Sequence, residues 1–149
     1  MKFSGELTVK APLAQVYAKV RDARFFASCV DGVQDLKETA PDTYAAVFAT
    51  KVAYMNFRFN VTVQVVRAQA PGEIEARIEG TPLGIVGRLS ATSVTRLTDV
   101  GAETKISYDV DAALTGKLGS LGQPVLRAKA KEMERQFAAR LAAAFASPA

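Results

Sequence analysis

Residues 57–65 read Phe57-Arg58-Phe59-Asn60-Val61-Thr62-Val63-Gln64-Val65. Each odd position is apolar and each even one polar, which is the signature of a β-strand with one dry and one wet face. The neighbours repeat the pattern. Before it, Tyr44, Ala46, Phe48, Thr50 and Val52 share one face, behind a turn at Pro41-Asp42. Ahead of that, residues 33–39 form a modest strand after Asp31-Gly32. After it comes a turn at Pro71-Gly72, then Ile74, Ala76 and Ile78 alternating with Glu73, Glu75, Arg77 and Glu79. A glycine-bearing stretch over residues 80–84 leads into a strand over 86–97, and Gly101 turns the chain into Ile106, Tyr108, Val110, Ala112 and Leu114. At the front, Phe3, Gly5, Leu7 and Val9 alternate with Lys2, Ser4, Glu6 and Thr8.

The period changes in two places. After Pro12, which stops the first strand and can open a helix, Leu13, Val16, Tyr17 and Val20 fall at helical spacing. Asp22 is placed to cap a second short helix carrying Phe25 and Phe26. In the tail, Leu126, Ala130, Met133, Phe137, Leu141 and Ala144 form an apolar stripe on a helix of some twenty residues, with Pro148 to end it. The order is one strand, two short helices, six strands and one long helix. Strands with one apolar face make an antiparallel sheet whose dry side needs a cover, and the long helix supplies the matching stripe. The expected fold is α+β: a strongly curved antiparallel sheet of about seven strands wrapped around a long C-terminal helix, in a single domain over residues 1–149.

Composition narrows the chemistry. The 149 residues are 49% hydrophobic and 23% charged, the balance of an ordinary globular domain. Histidine is absent, which removes His-based metal sites and the Ser-His-Asp and Cys-His nucleophile systems. The single cysteine, Cys29, excludes an internal disulfide and reads as a small buried hydrophobe rather than a reactive thiol. No cofactor and no metal are called for. Residues 1–115 hold 13 Lys/Arg and 13 Asp/Glu, so the net charge of +4 lies wholly in the segment holding Lys117, Arg127, Lys129, Lys131, Arg135 and Arg140 against Glu132 and Glu134. A basic amphipathic helix either meets an anionic membrane or acidic partner, or simply turns a solvated face outward. Asp109 and Asp111 share the wet face of their strand. The aromatics of residues 57–65 lie on the dry face away from cations, so nucleic-acid binding is not expected. The opening MKFSGELTVKAP has no apolar signal segment. The expected location is cytoplasmic, peripheral to the inner face of the cell membrane at most.

Two stretches resemble a known family. The first runs Phe3-Ser4-Gly5, Val9-Lys10-Ala11-Pro12, Val16-Tyr17, Asp22 and Cys29-Val30-Asp31-Gly32-Val33. The second, more specific, runs Thr104-Lys-Ile106-Ser-Tyr108-Asp-Val-Asp111-Ala112-Ala-Leu114-Thr-Gly116-Lys117-Leu118-Gly-Ser-Leu121-Gly122. Together they resemble the carbon monoxide dehydrogenase CoxG family, within the START-like, helix-grip (SRPBCC) superfamily. Tyr17, Ala23 and Asp31 depart from the tryptophan and prolines usual there. Around residues 57–61 the bulky Phe57 and Val61 replace the family's glycines. The resemblance implies a non-catalytic protein with a hydrophobic cavity. It also implies lipid-like ligands, quinones included, and a part in recruiting a molybdenum-containing carbon monoxide dehydrogenase or related hydroxylase to the membrane.

On this reading the cavity is lined by Phe48, Thr50, Phe57, Phe59, Val61, Ile74, Ile78, Leu89, Tyr108, Met133, Phe137 and Leu141, with Thr50 and the Tyr108 hydroxyl as polar anchors. The alternative from the pattern alone is that these side chains pack against one another at normal density. Residues 80–87 and 116–122 are the candidate gate to that interior. Two other functions stay open. One is an enzyme of polyketide cyclase or aromatase type, using Tyr44, Tyr108 or Asp109 only where they face inward. The other is an interaction module with a filled core.

Overall fold

The computed structural model describes residues 1–70 and 72–146. Its strands are β1 (Lys2–Val9), β2 (Val33–Ala40), β3 (Thr43–Val52), β4 (Met55–Gln69), β5 (Glu73–Pro82), β6 (Gly87–Asp99) and β7 (Thr104–Gly116). The helices are α1 (Leu13–Arg21), α2 (Ala23–Ser28) and α3 (Gln123–Ala146), with a 3-10 turn at Gly119–Leu121. All seven strands form one sheet in the order β1-β7-β6-β5-β4-β3-β2 with every neighbour antiparallel. Only β1 is out of sequence, because α1 and α2 carry the chain from one edge of the sheet to the other. This is the curved α+β grip the alternation implied.

Local signals hold where chemistry is specific. The Asp22 carboxylate accepts from the Arg24 and Phe25 backbone N–H groups and so caps α2. Pro12 sits just outside α1 in extended geometry rather than within its first turn. The glycine-bearing stretch differs from expectation. Gly80, Thr81 and Pro82 continue β5, with Gly80 between Val61 and Leu89 and Pro82 opposite Phe59. Pro82 is the last residue of the strand, where its missing N–H costs little. The expected turn at residues 71–72 is seen only in part. Gly72 donates to the Gln69 carbonyl at 2.9 Å, while Pro71 and Pro148 lie outside the described residues.

The helix stripe also shifts. Val125, Phe137, Leu141 and Phe145 reach the core clusters, with Lys129 and Met133 half-buried on the same four-residue ridge. Ala144, expected on the stripe, is exposed. A ridge of four-residue steps packs naturally against a curved surface. Leu141 is fully buried among Val9, Val16, Val20, Leu97 and Ile106. Leu141→Ala is expected to cost about 3 kcal/mol in urea unfolding, while Ala144→Ser stays within about 0.5 kcal/mol. Equal effects would mean that the ridge is misplaced.

Candidate functional site

Cross-strand register orders the inner face of the sheet into rows. At one end, Leu7, Ile106 and Leu97 face one another, beside Val9 and Thr104. With α1 and Leu141 they make a first packed cluster, joined by Phe25, Ile74, Phe137 and Phe145. Its one buried polar side chain is satisfied: Thr104 Oγ1 donates to the Ala11 carbonyl at 2.8 Å. At the other end, Val52, Phe57, Phe59 and Leu118 form a second cluster with Phe48, Met55, Val61, Ile85, Leu89, Leu114, Leu121 and Val125. Phe57 and Phe59 stack at 6.0 Å, and Phe48 and Phe59 at 6.1 Å.

Two rows lie between. One runs Val110, Ser93, Ala76, and the next Ala112, Ala91, Ile78, Val63. None of these seven belongs to either cluster, and four of them are alanine or serine. Ala76, Ala91 and Ala112 are buried yet outside both clusters. Overhead, α3 comes nearest the sheet at β1 and β3, the flanks, rather than over the strands between them. Ala130, Met133 and Glu134 of α3 are only half-buried. Between the two packed blocks the inner face of the sheet therefore carries mostly short side chains.

One polar pair stands beside these rows. Tyr108 faces Gly5 across β1 and β7, with the Glu134 carboxylate of α3 reaching the same spot. A Cβ on Gly5 would sit 2.5 Å from both Tyr108 Oη and Glu134 Oε1, so glycine is what lets the two meet there. Burial, reinforced by Glu134, pushes the Tyr108 phenol up to about 12. Such a phenol keeps its proton at neutral pH. It can hold a polar group but cannot serve as a base.

The twelve residues expected to line a cavity are divided by this arrangement. Phe48, Phe57, Phe59, Val61 and Leu89 belong to the second cluster, and Ile74, Phe137 and Leu141 to the first. Thr50 sits opposite Phe57, Ile78 lies in the row of small residues, Met133 is half-buried on α3, and Tyr108 lies between Gly5 and Thr95. Sequence pattern alone passes over Gly5, Ala76, Ala91, Ser93, Ala112 and Glu134. The signal for them is inward parity combined with small size, in strands whose flanking inward residues are large.

Other candidates resolve into structure. Burial raises the Cys29 thiol, as expected of an inert core cysteine. Asp109 is on the outer face and pairs with Arg96 at 3.2 Å. Tyr44 is raised by burial and by Glu38 beside it. On α3, Arg127 donates to the Lys2 carbonyl and lies over the Phe3 ring, Lys129 pairs with Glu132, and Arg140 pairs with Asp31. Half of the basic C-terminal set is thus engaged within the chain. The outer face of the sheet carries an open groove of about 820 Å³ bordered by Lys2, Arg77, Glu79, Asp109 and Asp111. Its charges of both signs form solvated cross-strand pairs such as Arg88–Glu79.

The fold is that of the START-like, helix-grip proteins. A START superfamily protein from Mycobacterium smegmatis superposes with a TM-score of 0.73 at 12% identity, over 97% of this chain and 96% of that one. The Zhui aromatase/cyclase from a Streptomyces species gives 0.70 at 13% identity, over 96% and 92%. A conserved protein from Geobacillus kaustophilus gives 0.90 at 22% identity, over 98% and 95%. Among curated proteins no relative matches the sequence. The family model for the G-type subunit of carbon monoxide dehydrogenase (CoxG) matches residues 5–146, and the chain belongs to the CoxG family.

The Tyr108–Glu134 pair has a pH signature. The folded phenol ionises near 12 and the unfolded one near 10, so between those values the folded chain holds a proton that the unfolded chain has lost. Stability is therefore expected to fall as pH rises from about 10 to about 12, and to level off above. Ultraviolet titration should show Tyr108 as the last of the four tyrosines to ionise. Tyr108→Phe should remove that step, and Glu134→Gln should lower it. An unchanged titration in Tyr108→Phe would assign the late step elsewhere.

Proposed function

We propose that this protein binds a hydrophobic small molecule or lipid, quinones included, in a trough between α3 and the sheet. It acts as a carrier or accessory for a carbon monoxide dehydrogenase or related molybdenum hydroxylase at the membrane. The observation that carries the ligand reading is the pair of rows with short side chains between two packed clusters. Protein interiors are ordinarily filled to crystal-like density. Here the strip under the middle of α3 has Ala76, Ala91, Ser93 and Ala112 where large side chains would close the gap. An apolar lining with one or two polar groups suits a ligand with a long apolar body and a small polar head. Tyr108 and Ser93 are the groups placed to meet that head. The enzyme role rests on membership of the CoxG family and on its name. Binding rather than turnover fits a Tyr108 phenol that stays protonated, although aromatase/cyclases share the fold.

Native mass spectrometry of purified protein, followed by organic extraction, is expected to find a stoichiometric apolar molecule. After extraction, the neutral fluorophore N-phenyl-1-naphthylamine should be taken up. Ala91→Leu, which fills the middle of the floor, should weaken that uptake by about tenfold. Protein that carries nothing and takes up neither this probe nor any of a lipid and quinone panel would overturn the reading in favour of a filled interaction module.

A further inference from the structure

Three loops meet at the end of the molecule beyond the second cluster. The β3–β4 hairpin turns on two residues, Ala53 and Tyr54, with Ala53 at φ 57°. The β5–β6 loop, residues 83–86, lies beside it, since the Leu83 N–H donates to the Arg58 carbonyl at 2.7 Å. The β7–α3 connection joins from the other side, where the Lys117 N–H donates to the Val86 carbonyl at 3.0 Å. Gly116, at φ 67°, permits this junction, because a Cβ there would run into the backbone of Val86 and Gly87. The tip is thus tied together by backbone hydrogen bonds.

Its side chains are apolar and turned to water. Tyr54 is 86% exposed, Val86 85% and Leu83 46%. Lys51, Arg58 and Lys117, on the same strand ends and loops, are exposed, as is Arg88, which pairs with Glu79. Residues 50–58, 80–90 and 112–131 contain no aspartate or glutamate. The nearest carboxylate engaged from outside is Glu79, 3.4 Å from Arg88. The opposite end is different in kind, with Asp42, Asp99 and Glu103 in its turns.

We propose that this tip docks on an anionic lipid bilayer, with Tyr54, Leu83 and Val86 in the headgroup–acyl boundary and Lys51, Arg58 and Lys117 against lipid phosphates. Apolar side chains held on short loops gain by entering a bilayer, and a tyrosine suits the interface. Cations beside them add electrostatic attraction to an anionic surface, which salt screens. A protein partner would need a shaped apolar face with paired polar groups at its rim. Three protruding side chains beside exposed lysines and an arginine fit a fluid anionic surface better. The proposal rests on the membrane part of the function proposed above and on nothing in its ligand part.

The test is co-sedimentation with vesicles of phosphatidylcholine alone and of phosphatidylcholine mixed with phosphatidylglycerol. The wild-type chain should bind the mixed vesicles at least tenfold more tightly than the neutral ones. That binding should weaken by about tenfold or more between about 0.05 M and about 0.5 M salt. Tyr54→Ser with Val86→Ser should lower affinity by about tenfold or more, with the melting temperature unchanged because both side chains are exposed. Lys51→Gln with Lys117→Gln should flatten the salt dependence. Lys131→Gln with Arg135→Gln, on α3, should change neither. Binding lost only in the α3 variant would overturn the tip assignment while leaving a membrane role standing. No preference for the mixed vesicles would overturn both.

Discussion

One helix cannot cover seven strands. An α-helix with its side chains is about 10–12 Å across, while seven strands about 4.8 Å apart span close to 30 Å. The sheet must curl to bring its inner face against α3, and curling brings the flanks in before the floor. The structure follows this constraint: α3 approaches the sheet at β1 and β3 and bridges the strands between. Large side chains pack at the two ends of the inner face, and short ones lie in its middle. The space proposed for a ligand follows from how little sheet a single helix can seal, and from which inward positions the sequence leaves small. Gly5 belongs to the same logic, because it lets α3 lie close enough to β1 for Glu134 to reach Tyr108.

The wet face obeys a different rule. Without a partner layer, outward side chains can be charged at little cost, and here they alternate in sign across strands. Arg67 pairs with Glu73 and Glu75, Arg96 with Glu73 and Asp109, Arg88 with Glu79, and Lys105 with Glu6. Each exposed pair is worth little singly. Together they keep this face electrically mixed, so the groove there draws no ligand of one sign. The excess positive charge appears at the tip and on α3. The formal +4 therefore describes two local surfaces rather than the whole.

Most of the fold was legible because alternation and helical spacing are physical consequences of burial, and this sheet is buried on one face only. The Asp22 cap and the strand with Phe57 and Phe59 were readable for the same reason. Gly80 and Pro82 misled, since glycine and proline usually punctuate strands, and here cross-strand pairing with Val61, Leu89 and Phe59 carries β5 through them. The stripe on α3 was read to Ala144 rather than Phe145, because the two positions differ by only one step on the helix and packing decides between them. The site was less legible than the fold. Inward parity marks Phe57 and Phe59 in the sequence and helical spacing marks Leu141, and the structure buries all three in the two clusters. Alanines and glycines such as Ala91 and Gly5 carry no chemical signature, and their meaning depends on which neighbours they face. Exposed tip residues are just as silent in sequence, since Tyr54 and Val86 sit in apolar surroundings that read equally well as core.

The two clusters are not equivalent barriers. In the first, Val9, Val16, Ile106 and Leu141 are almost wholly buried, and α1, β1, β6 and β7 hold them with regular secondary structure. The second has fewer buried members and draws Leu118 and Ile85 from loops and Leu121 from the short 3-10 turn. Local opening costs least where few buried contacts and short irregular segments hold a region closed. The second cluster is therefore the more easily opened of the two, and the segments that close it, residues 83–86 and 117–122, are those that build the apolar, basic tip. Their glycines mark the same two stretches as a gate in the sequence, and backbone hydrogen bonds bring them together. A surface that met lipid at this tip would exert its force on the loops that seal the interior, so on the proposed reading docking and opening share one set of residues. The closed end, with α1 and α2 over it, would stay rigid, because relaxing it would expose Leu141 and the apolar core around it.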